Sequence, residues 1–152
     1  MKKFWEFIDN GWIREEKIGP TLVNQVVAKA KRSLKSAALL LADGDAEGSY
    51  ELAYEAMLLS GRALVFSFDY RPRAAGSHKI VVDFVKKSLP KEAATVTLKF
   101  DKMRKNRHYL IYGAGLAISE AEAKNAISSA KSLMVKIEKI IDRKSPQRKM
   151  KI

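Results

Sequence analysis

Between Asp101 and Tyr112 the chain reads DKMRKNRHYLIY, and five side chains there suit chemistry on an anion: Arg104, Arg107, His108, Tyr109 and Tyr112. A guanidinium offers a planar fork of donors that matches a phosphate. An imidazole titrates near neutral pH and serves as general acid or base. A tyrosine hydroxyl gives a hydrogen bond to a phosphate oxygen, and Tyr109 suits packing better than chemistry. At about 100° per residue, from 3.6 residues per turn, Val96, Phe100, Met103, Leu110 and Ile111 form one apolar arc. Arg107 falls near its middle and Arg104 on its border, while Asp101, His108 and Tyr112 group on the adjacent polar face. A guanidinium buried without a partner is costly. Three solutions stay open for Arg107: it snorkels to solvent, it pairs with a carboxylate inside the fold, with Glu51 and Glu55 as candidates, or it lies in a cleft between chains, where it suits a phosphate. The other histidine, His78, near the start of the third helix, has two readings: it caps or hydrogen-bonds there, or it faces the same cleft if the third and fourth helices are neighbours.

The composition narrows the partners. The chain has 152 residues, 47% hydrophobic and 30% charged, which suits one globular domain with one core. Its 29 basic and 17 acidic residues give a net charge of +12 at pH 7, which favours polyanionic partners such as RNA, DNA or an acidic protein. There are no cysteines, so disulfides, thiolate catalysis and zinc–thiolate sites are excluded. No phosphate-binding P-loop, dinucleotide fingerprint, His-Glu-x-x-His pair or nucleophile elbow is present. Two distant histidines without a carboxylate cluster predict no metal site, and no cofactor is called for. No apolar run reaches the roughly 18 residues of a membrane span. The start of the chain lacks a signal-peptide pattern, and a cytoplasmic setting without membrane association is expected.

Helical periodicity dominates, and no segment reads as a sheet. Phe4, Trp5, Ile8 and Trp12 make a short amphipathic piece within residues 1–20, placed to pack on the body or on a partner chain. Thr21 is expected to cap a first long helix, which Asp43-Gly44-Asp45 closes. Ser49 caps a second, to about Phe68, whose small residues (Ala53, Ala56, Ser60, Gly61, Ala63) let neighbours approach closely and make it central. Tyr70-Arg71-Pro72-Arg73 reads as a basic connection. Ser77 starts a third helix that Leu89-Pro90 stops, and a fourth runs from about Glu92 to Tyr112. Ser119 with Glu122 forms a capping box for the last helix. Short connections between long helices predict an all-α, up-and-down bundle of four to five antiparallel helices over residues 21–142, preceded by a short N-terminal helix. Residues 143–152 read as a basic, disordered tail.

In order and spacing, the segments SYELAYEAMLLSGRALVFSFDYRP, SHKIVVDFV, MRKNRHYLIYG and ISEAEAKNAISSAKSLMVKI resemble the HEPN superfamily, the higher eukaryotes and prokaryotes nucleotide-binding domains, and its stand-alone members in particular. The resemblance implies a helical bundle that forms a homodimer. Many members are metal-independent endoribonucleases that use an arginine, a polar residue after it, and a histidine four to six residues beyond. Arg107 matches the arginine and His108 the polar residue, but Tyr112, Gly113 and Ala114 stand where the histidine would fall. Three functions follow from the resemblance. The first is an RNA- or nucleotide-phosphate-binding protein with a degenerate ribonuclease motif, in a toxin–antitoxin or defence setting, its phosphate held by Arg104, Arg107 and Tyr112. The second is an active metal-independent endoribonuclease with Arg107, His108 and Tyr112 as its catalytic set. The third is a non-catalytic partner of a small nucleotidyltransferase, with Trp5 and Trp12 as a contact surface.

Overall fold

In the computed structural model, residues 2–111 and 117–144 are described. Six α-helices make up most of them: α1 (Trp5–Asp9), α2 (Pro20–Ala42), α3 (Ala46–Ser67), α4 (Ser77–Ser88), α5 (Ala94–Ile111) and α6 (Glu120–Lys144), with one-turn 3₁₀ segments at Lys2–Phe4 and Lys91–Ala93. The protein is an all-α bundle, as the periodicity predicts.

Helix α3 is the hub and packs on α2, α4, α5 and α6. Its sequence explains this position. It is apolar nearly all round, and Ala53, Ala56, Gly61 and Ala63 have no bulk to hold neighbours away. A Cβ built on Gly61 would lie 2.5 Å from Val81 Cγ1 and 3.1 Å from Val85 Cγ2, so α4 approaches closer than any larger residue permits. The α2–α3 hairpin turns at Gly44, whose φ of +87° suits glycine. Ser49 is not the cap of α3. Asp45 is, with its carboxylate accepting the Gly48 N–H at 2.8 Å. Ser49 is instead buried and donates to the Ala37 carbonyl at 2.7 Å, joining α3 to α2. Helix α2 likewise starts one residue before Thr21, with Pro20 at its first position and no side-chain cap. At α6 the capping box forms as expected: Ser119 N–H to Glu122 Oε1 and Glu122 N–H to Ser119 Oγ, each 3.1 Å.

One element escaped the periodicity. Strands β1 (Ile13–Glu15) and β2 (Tyr70–Pro72) form a two-stranded antiparallel ribbon, with Arg14 opposite Arg71. Each strand has three residues, too short for alternation to show. The segment read as a basic connection is therefore half of a ribbon, which Glu16 reinforces by pairing with Arg71 Nε at 2.8 Å. Asp69 turns the chain into β2 with a φ of 60°, and its carboxylate accepts the Ile18 N–H at 2.9 Å. The ribbon and α1 fix the N-terminal segment to the bundle: Phe4 is buried and stacks on Phe84 at 4.0 Å, edge-on to Phe68 and Tyr70. Arg143 and Lys144 complete the last turn of α6, where Lys144 Nζ lies 3.9 Å from the centre of the Phe68 ring. The remaining tail lies outside the described residues. Among the described residues, no helix is long and apolar enough to cross a membrane.

Candidate phosphate site at Arg107 and Tyr54

On α5, Phe100 and Met103 are fully buried, and Arg104 and Arg107 continue the same face half-buried. The spacing 100, 103, 104, 107 is that of one helix face, so the stripe changes from apolar to cationic as it nears the end of the helix. Arg104 is engaged within its own helix: its Nε donates to Asp101 Oδ1 at 2.9 Å, and Lys105 reaches the other carboxylate oxygen at 3.5 Å. Partial burial opposes ionisation of Asp101. The Arg104 hydrogen bond and the two positive charges outweigh it, and its carboxyl is held below the usual range.

Arg107 has a different environment. Its guanidinium carbon lies 5.8 Å from the centre of the Tyr54 ring, within cation–π range. Among the described residues no carboxylate pairs with it, so the internal pair with Glu51 or Glu55 is not formed. Tyr54 is fully buried in α3 and also packs on Phe100. Burial drives its hydroxyl far up from its ordinary value, against the pull of Arg107 and Arg104, so it remains a phenol.

The Tyr54 hydroxyl shares a hydrogen bond with His78 Nδ1 at 2.9 Å. His78 is the second residue of α4, and α4 packs beside α5, so the condition under which it faces the Arg107 cleft is met. Burial, then the charges of Arg107, Arg62 and Arg104, push the imidazole pKa down against a weaker opposing effect of Glu55. Arg62 Nη2 donates to Ser77 Oγ at 3.4 Å, which brings a further guanidinium to the start of α4. That start carries no acidic residue in its first turn and no side-chain cap, leaving the positive end of its peptide dipoles uncompensated.

The structure thus gathers Arg107, Arg62, His78 and Tyr54 from three helices, with Arg104 alongside. His108 is exposed, one position further round α5. Tyr112 lies outside the described residues. Tyr54 and Arg62 were not singled out from the sequence, although Tyr50, Tyr54, Met57 and Gly61 share one face of α3. That spacing marks the face which meets α5: Asn106 donates to the Tyr50 hydroxyl at 3.0 Å one turn away. Among the described residues, no group of three His, Asp or Glu side chains could hold a metal ion.

Comparison with known proteins agrees with the fold. No curated protein and no solved structure matches the chain. The sequence pattern of the HEPN domain matches residues 23–140, from the first turn of α2 to within about one turn of the end of α6, and so spans every helix that builds the site. The chain belongs to the HEPN domain family.

Proposed function

We propose that this HEPN protein binds the phosphate groups of RNA or of a nucleotide at the Arg107–Tyr54 site, and that its ribonuclease motif is degenerate. One observation carries the reading: a half-buried guanidinium rests on a tyrosine ring with no carboxylate to neutralise it among the described residues. Five donors in a fixed plane, beside a ring that does not use them, are matched by a phosphate. The α4 terminus, Arg62 and the net charge of +12 draw an anion to the same place. Arg104 adds positive charge from the adjoining turn. Tyr112 enters this reading from its spacing alone, as a second donor.

The degenerate motif follows from the sequence of a family member. Where a catalytic histidine would follow Arg107, Tyr112 supplies a phenol with a reference pKa near 10, a poor base at neutral pH. A homodimer would set two such sites together, in a toxin–antitoxin or defence setting. A second reading has an observation of its own. Trp5 is 59% exposed, while Trp12 packs edge-on against Phe7, so Trp5 offers an anchor for a nucleotidyltransferase partner.

The deciding experiment is RNA affinity. Arg107→Ala should weaken binding of single-stranded RNA by about tenfold or more, the loss expected for charge-assisted hydrogen bonds. Equal affinity in the variant sinks the proposal. RNA incubated with the protein in EDTA supplies the control. Cleavage to a cyclic phosphate that is lost in His108→Ala would replace binding alone with endoribonuclease action.

A further inference from the structure

His78 is the one titratable group of the cluster that the phosphate reading leaves unused. Its ring is 5.9 Å from that of Tyr54, the same ring that carries Arg107. The bond from Tyr54 to Nδ1 fixes the imidazole by one nitrogen, and among the described residues no protein group bonds Nε2. With Nδ1 accepting from the phenol, the proton of the neutral ring sits on Nε2 as a donor. When the ring is charged, the phenol oxygen accepts from Nδ1–H instead. A hydroxyl that both donates and accepts therefore holds the ring in place in either state.

We propose that His78 is a direct ligand of the phosphate bound at Arg107, giving Nε2–H to a phosphate oxygen, and that the protein takes up a proton at His78 when the phosphate binds. This rests on the phosphate-binding reading of the site and adds a residue and a proton to it. The geometry supplies the reason. The charges that act on His78 are those of Arg107 and Arg104 from α5 and of Arg62 and Glu55 from α3, Tyr54 of α3 holds its ring, and Lys79 and Asp83 of its own helix pair with each other. Burial first, and then three guanidinium groups against one carboxylate, push the imidazole pKa down and favour its neutral form. A phosphate oxygen at Nε2 offsets part of that field with a negative charge set directly against the ring, which favours the charged imidazole. Binding and protonation are linked, so affinity for the anion rises as pH falls through the range where His78 titrates.

The test uses a short oligouridylate, whose phosphodiesters keep one negative charge from about pH 6 to 8, where histidine titrates. Wild-type affinity should rise at least about threefold per pH unit on acidification, below the tenfold limit of one linked proton. His78→Gln should flatten that dependence, since glutamine can still reach the Tyr54 hydroxyl but does not titrate. Proton NMR of the wild type gives a second readout that needs no variant. The chain has two histidines, and the His78 signals are those with contacts to the Tyr54 ring. Their titration midpoint should move up when the RNA is added. An unmoved midpoint with RNA bound, or an equal pH dependence in His78→Gln, overturns the proposal. In either case an Arg107→Ala loss of affinity leaves the phosphate reading standing. Failure of the wild type to bind RNA removes both.

Discussion

The Arg107 guanidinium covers the ring of Tyr54, a residue fully buried one helix away, and takes from it the compensation that a carboxylate would ordinarily give. A ring face returns about 0.5–2 kcal/mol to a cation, less than burial of an unpaired charge costs. Half-buried as it is, Arg107 therefore adds little to the stability of the fold. Arg107→Met keeps the length and apolar stem without the charge. It should leave stability unchanged or raise it by up to about 1 kcal/mol while RNA binding falls. Urea unfolding measures the first and a binding titration the second. A loss above about 2 kcal/mol would make Arg107 a structural residue.

Phosphate contacts leave a signature in salt dependence. Each phosphate neutralised on a single strand contributes about −0.7 to the slope of log affinity against log salt. Arg107→Ala should reduce the magnitude of that slope by about 0.7. Binding that weakens with no change of slope would place Arg107 away from the phosphates.

The α3–α4 contact that brings His78 to Tyr54 depends on Gly61. Gly61→Ala places a methyl 2.5 Å from Val81 Cγ1, where both helices are buried, and should cost about 1–3 kcal/mol. Adding Val81→Ala should recover part of this, so thermal unfolding of the double variant should show favourable coupling. Strict additivity would mean that the strain lies elsewhere.

Acid sensitivity has a marker at α6. The backbone N–H and hydroxyl of Ser119 hold the Glu122 carboxyl below its ordinary value of 4.5. A depressed folded pKa gives stability that is present above the unfolded value and lost as pH falls through the folded one. The capping box should thus support α6 above about pH 4.5 and weaken below it. Glu122→Gln should remove this pH-dependent part of the thermal midpoint, and an unchanged acid profile would rule out the assignment.

The helices themselves were legible in the chain, because apolar residues at helical spacing bury one face whatever they meet. The same pattern made α3 central through its small residues, and put Arg107 on an apolar face. Local chemistry sufficed for the capping box at Ser119, since both partners lie within one turn. It misled at Ser49 and Tyr70–Pro72, where a hydroxyl and a three-residue strand found partners far along the chain. Those partners, Ala37 and Ile13–Glu15, leave no periodic trace. What the sequence determined alone is thus the set of helices, their buried faces and a guanidinium out of place. Tertiary structure decided which groups surround that guanidinium: Tyr54 from α3 and His78 from α4, with no carboxylate among the described residues. The reason is that helix spacing specifies which side chains share a face, whereas contacts between faces depend on how closely helices approach. Between α3 and α4, the absent side chain of Gly61 permits that close approach.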